Sequence, residues 1–171
     1  MLRDHIRHDL DILFIGFNPS LLSGKTGHHF ASPNNRFWKI LHEASITPRK
    51  YKSEEDYLLP EIGLGLTNIV ARPTKAADEI TKEEYRVGRE ILKEKIKMYR
   101  PLIACFVGKG VYQQYSLQKD VPWGAQSNQT VPGTTDFVAP SSSGLVRIKM
   151  DEIVRIYSEL PGLAERLKEH K

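Results

Sequence analysis

The chain has 171 residues and a single cysteine, Cys105, so no disulfide can form within it. Cys105 lies in an apolar run, where a buried, inert thiol is expected, and the lack of disulfides fits a reducing, intracellular setting. No apolar run approaches the ~20 residues that cross a bilayer, so no membrane partner is expected. The first ten residues, MLRDHIRHDL, lack the apolar centre of a secretory signal. Acidic surplus is also missing. Lys+Arg number 25 against 21 Asp+Glu, for a net charge of +4 and a pI near 9.1. That balance permits a polyanionic partner without demanding one. No repeat, low-complexity tract or linker is present, and the length suits one domain over residues 1–171 with its core at about 10–160.

Several chemical motifs are missing as well. Gly24-Lys25-Thr26 resembles the end of a phosphate loop, but the preceding glycine, Gly16, is too far back and Pro19 removes a backbone donor. Ser141–Ser143 has no strained Gly-x-Ser-x-Gly elbow, which argues against a serine nucleophile. His5 and His8 could share a helix face but have no third ligand nearby, and the adjacent side chains of His28 and His29 diverge. Neither histidine pair has the spacing of a metal site.

What is present is a regular alternation. Residues 11–17 and 64–70 read as near-continuous apolar strands, as do 102–108 and 135–139. Between them, Ser32-Pro33 predicts a helix start before the stripe Phe37, Ile40, Leu41 and Ala44. Ser53-Glu54-Glu55-Asp56 predicts a short helix ending near Pro60, and Thr81 with Glu84 a capping box opening the longest helix, about 82–99. Further helices are expected at 109–115 and 150–160, with the charged tail 161–171 adding at most another turn. Residues 1–10 read as a short helix or a loose lead-in, and the turn-rich 120–134 has room for a minor strand. Strands alternating with helices imply a parallel sheet covered on both faces, an α/β/α sandwich.

Two loops should leave the same edge of that sheet. The first follows residue 17 and carries Asn18, Lys25, His28, His29 and Phe30; the second, after residue 139, runs from Ser141 to Arg147. Loops at the carboxyl ends of parallel strands are the usual ligand sites of open α/β sheets. An amide, an aromatic ring and an apolar tip, Leu145, beside a cation suit an enzyme that turns a base out of a nucleic-acid stack.

Three blocks carry a closer resemblance. Gly16-Phe17-Asn18-Pro19, with Gly27-His28-His29-Phe30 and Pro33-Asn34-Asn35-Arg36-Phe37-Trp38, resembles the first motif of the mismatch-specific uracil-DNA glycosylases and their thymine-DNA glycosylase relatives. The run from Gly65 to Thr74 is similar to that family's second strand and following loop, and Pro140-Ser141-Ser142-Ser143-Gly144-Leu145 to its second active-site motif. The resemblance implies a central four-stranded parallel sheet between helices. It implies hydrolysis of the N-glycosidic bond of uracil, or thymine, opposite guanine in duplex DNA, without metal or organic cofactor. Asn18 matches the catalytic amide that positions water, and Phe30 the ring that stacks on the flipped base. Backbone N–H groups of Phe17 and Phe30 would meet the pyrimidine, with Gly16, Pro19 and Ser20 beside them. Ser141, Ser142, Ser143, Gly144, Leu145 and Arg147 match the loop that enters the duplex, and Lys25, His28 and His29 are expected to face DNA.

An amide cannot accept a proton as a carboxylate does, so the chemistry implied is driven by the leaving group. No amine nucleophile is expected, hence no strand-cleaving lyase step. Ser20, Phe17 and the Ser141-Ser142 pair depart from the bacterial mismatch pattern, and the serines resemble the thymine-processing branch; base preference stays open. A monomer acting on G·U or G·T duplexes in the cytoplasm (at the nucleoid, in a bacterium) is the expectation. The alternative is a catalytically silent reader of mispaired DNA on the same fold.

Overall fold

Ile12, Leu13, Phe14 and Ile15 are all buried, although successive side chains of a strand point to opposite faces. Such a strand needs cover on both sides. The computed structural model, which describes residues 2–171, provides it. Strand β1 (Ile12–Gly16) lies inside the sheet, flanked by β2 (Leu64–Asn68) on one side and β3 (Ile103–Val107) on the other. β4 (Gly124–Ala125) and β5 (Thr135–Ala139) complete the order β2-β1-β3-β5-β4. All neighbours are parallel except β4, which runs antiparallel to β5 at the edge. The sheet thus has five strands where four were expected; the fifth is the minor strand in the turn-rich segment.

Period-two alternation divides the core. Ile12, Phe14, Leu66, Cys105 and Phe137 face one way, against helices α2 (Phe37–Glu43), α5 (Met150–Tyr157) and α6 (Leu160–Glu169). Leu13, Ile15, Phe106 and Val138 face the other, against α3 (Lys82–Tyr99) and α4 (Lys109–Ser116). Burial pushes the Cys105 thiol well above its ordinary value, consistent with an inert packing residue.

Helix α3 forms as its capping box dictates: Thr81 Oγ1 accepts from Glu84 N–H at 3.1 Å, and Glu84 accepts from Thr81 N–H at 3.1 Å. Several local details differ from expectation. The long first loop contains a helix, α1 (Leu21–Thr26), capped by Ser20 at its start and by left-handed Gly27 at its end. Helix α2 begins at Phe37, not at Ser32-Pro33, because Asn35 N–H turns back to Ser32 O and the Arg36 N–H is drawn across to Ser142 O. Of the two readings of the lead-in, the structure has the non-helical one over residues 2–10, pinned where His5 bridges Leu66 antiparallel with N···O distances of 3.0 and 2.8 Å. The segment Ser53–Ile62 is 3₁₀ rather than α, and α6 gives the charged tail more helix than the single turn expected.

Candidate active site

Asn18 sits just beyond the carboxyl end of β1, and its side chain is fixed by two bonds. Its Nδ2 donates to Arg72 O at 2.7 Å and to Thr74 Oγ1 at 2.8 Å. A carbonyl can only accept, and the Thr74 hydroxyl already donates to Ala76 O at 2.8 Å. The amide orientation is therefore dictated by its neighbours, and both N–H bonds of Asn18 are spent on them. Its Oδ1 is the polar atom left for a ligand in the cavity that Asn18 lines.

The support for Arg72 comes from α3. Its guanidinium grips Glu84 through two bonds of 2.8 and 2.9 Å and donates to Glu79 O at 3.0 Å. That fork, with the Thr81 backbone N–H, holds the Glu84 carboxyl down at about 2. The capping box of α3 thus reaches the amide of Asn18 through one arginine.

The cavity, about 200 Å³, opens where β1, β2, β3 and β5 end. Gly16, Phe17, Pro19, Ser20 and Phe30 line it, together with Ser141 and Ser142 from the second loop. At Gly16 the Asn68 amide comes close: a Cβ there would lie 2.7 Å from Asn68 Oδ1, so a larger residue would displace that side chain. Phe30 forms the aromatic wall. Its ring stacks on Phe37 at 3.9 Å between centroids and 14° between planes, and its backbone takes the left-handed conformation, φ 51°. A bulky residue at positive φ is strained unless its surroundings hold it there. No acceptor is found among the described residues for the N–H groups of Phe17 and Phe30. The Phe17 side chain itself turns away to pack against Gly110 and Tyr85.

The second loop is anchored before it reaches solvent. Tyr157 Oη donates to Pro140 O at 2.6 Å, Arg36 N–H to Ser142 O at 2.9 Å, and Arg36 Nη2 to Ser143 O at 3.0 Å. Gly144 passes so close to Asn34 that a Cβ would sit 2.7 Å from its carbonyl oxygen. From this base Leu145 projects, 92% exposed, with Arg147 exposed two residues on. The Leu145 N–H bonds Ser143 Oγ at 3.2 Å.

Other expected site residues have partners that the sequence does not announce. His29 is buried and lines the cavity, its backbone N–H bonded to Asp56 and its ring to Arg3 O. His28 leans on the same Asp56, and Lys25 is exposed on the last turn of α1. Ser142 is buried as a cavity wall rather than set on the surface. His8 stacks near Tyr99 and shares no face with His5. Asn68, Asn35, Thr74 and Lys75 line the cavity without having been singled out. Thr74 and Asn68 fall in the block quoted from the second strand, where polar residues at a strand's carboxyl end were the available signal. Lys75 is an amine at the rim where none was expected; it is exposed. Among the described residues no Asp or Glu lines the cavity.

The uracil DNA glycosylase superfamily model matches residues 4–160. In three dimensions the chain is similar to a candidate uracil DNA glycosylase from Methanosarcina acetivorans, solved in solution by NMR. The TM-score is 0.60 at 19% identity, covering 94% of this chain and 96% of that one. That likeness shows the fold, and the family match spans the strands, both loops and the cavity. The chain belongs to the uracil DNA glycosylase superfamily, enzymes that hydrolyse N-glycosyl bonds in DNA.

Proposed function

We propose that this protein is a monofunctional, mismatch-directed glycosylase that removes uracil, or thymine, opposite guanine in duplex DNA. The observation that carries the reading is the oriented amide of Asn18 facing a cavity with an aromatic wall and no carboxylate. Asn18 Oδ1 accepts a hydrogen bond from water and aims it, but it cannot deprotonate that water strongly. Bond breaking therefore leads. The sugar gains positive charge as the base departs, and fixed N–H donors such as those of Phe17 and Phe30 stabilise the leaving anion. Phe30 supplies a stacking face for the flipped ring, and Leu145 fills the gap left in the duplex.

Lys75 favours no lyase step. Schiff-base lysines are activated by desolvation or a neighbouring cation, and Lys75 is exposed. Base release from end-labelled duplexes carrying a central G·U, G·T or A·U pair tests the reading. Cleavage after alkali at G·U, well above A·U, is expected, and the G·T lane reports how far thymine is accepted. A covalent adduct trapped by borohydride, and lost in Lys75→Ala, would overturn the monofunctional assignment. Tight G·U binding without cleavage would leave the silent reader.

A further inference from the structure

Three histidines converge on one buried carboxylate beside the cavity, which His29 also lines. Asp56, in the 3₁₀ segment, is 1% exposed. Its Oδ2 accepts the His29 backbone N–H at 2.8 Å, which fixes the carboxylate and turns Oδ1 toward the rings. His5 Nε2 lies 3.3 Å from Oδ1 and His28 Nδ1 3.1 Å from it. The His5 nitrogen is buried, yet it makes no hydrogen bond, being close to the oxygen but misaligned. Leaving such a nitrogen unpaired costs free energy, so the site needs another account. A nitrogen of His5, one of His29 and an oxygen of Asp56 all lie within 4.8 Å of one another.

We propose that His5, His29 and Asp56 form a transition-metal site of the Zn²⁺ class, set into the wall of the cavity at His29. Two ligands of a tetrahedral ion with bonds of about 2.0–2.1 Å sit roughly 3.3 Å apart without hydrogen-bonding each other. His5 Nε2 and Asp56 Oδ1 already have that spacing. His29 Nε2 lies 2.7 Å from the Arg3 carbonyl, so it carries the proton, and Nδ1 keeps the lone pair. A ring N–H given to a backbone carbonyl is how ligating histidines are usually held. His28, a third exposed and bonded to the same Asp56 oxygen, closes the solvent side.

A bound ion would join the lead-in, the turn before Phe30 and the 3₁₀ segment, three stretches otherwise far apart in sequence. It would hold the positive-φ backbone of Phe30 from behind. The site stands apart from the glycosylase reading, because its test reads metal and not base release.

Chelator-stripped protein titrated with ZnCl₂ in a calorimeter is expected to take up one equivalent, with Tm raised by roughly 5 °C at saturation. CoCl₂ should give the intense visible absorption of a tetrahedral centre. His5→Ala should weaken binding by about tenfold or more and abolish the cobalt spectrum, while His8→Ala changes neither. His5→Asn, with urea midpoints measured in chelator, guards against a variant that merely fails to fold. No uptake by the wild type, or equal uptake by the wild type and both His5 variants, would overturn the site.

Discussion

At the scale of single residues, the account rests on side chains whose freedom has been removed. Asn18 has one orientation because two acceptors claim its nitrogen. Phe30 has one because Phe37 lies flat beneath it. The remaining face of Phe30 is what a flipped base would stack on, and such stacking contributes roughly 1–3 kcal/mol per base. Phe30→Ala is therefore expected to weaken binding of duplex carrying a flippable G·U pair by about 5- to 150-fold, with little effect on matched duplex, measured by fluorescence anisotropy. Equal weakening on both duplexes would mean that Phe30 only packs. These residues were legible in the sequence because their types are chemically unusual where they stand. The His5–His29–Asp56 cluster was not, since its members come from three separate segments and only folding brings them together.

At the scale of elements, the loops work because regular structure holds their ends. Helix α3 reaches Asn18 through Glu84 and Arg72, and this link is sensitive to acid. The Glu84 pKa falls from 4.5 to about 2 in the fold because Arg72 and the Thr81 N–H bind its charged form. A lowered carboxylate pKa gives stability that is present above the unfolded value and lost as pH falls toward the folded one. The link should hold at pH 5 and above and weaken between about 4.5 and 2. Urea midpoints of the wild type and Glu84→Gln should therefore differ at neutral pH and converge across that window. A constant difference down to pH 2 would exclude the link.

The second loop makes its own prediction. Leu145→Ala should lower base release from duplex by about tenfold while leaving single-stranded substrate unchanged, because only a duplex has a stack to be entered. An equal loss on both substrates would count against an intercalating tip.

Sequence and structure part company most at α1. Its apolar residues Leu21 and Leu22 point outward, 56% and 39% exposed, so no inward stripe announced a helix. Its ends are set by Ser20, whose side chain accepts the Ser23 N–H, and by left-handed Gly27, within a stretch of Gly, Ser and Pro that reads as loop. The strands and α3 were readable for the opposite reason. Their burial is uniform or strictly periodic, and Thr81 with Glu84 marks a boundary by hydrogen bonds local to the chain.

At the scale of the whole molecule, parallel topology turns two distant stretches into one site. β1 and β5 are both neighbours of β3, so the loops leaving their carboxyl ends meet over it. The net charge of +4 offers a modest attraction for a phosphate backbone, one that salt should screen. What the topology assembles is a cavity where Asn18 Oδ1 is the atom assigned to the water. The single-turnover rate of base release from a G·U duplex, compared between the wild type and Asn18→Ala at matched saturation, tests that assignment most directly. A fall of roughly 10²- to 10³-fold, with duplex affinity and urea midpoint little changed, is the predicted result. An unaltered rate in the Asn18 variant would contradict it and place the water elsewhere in the cavity.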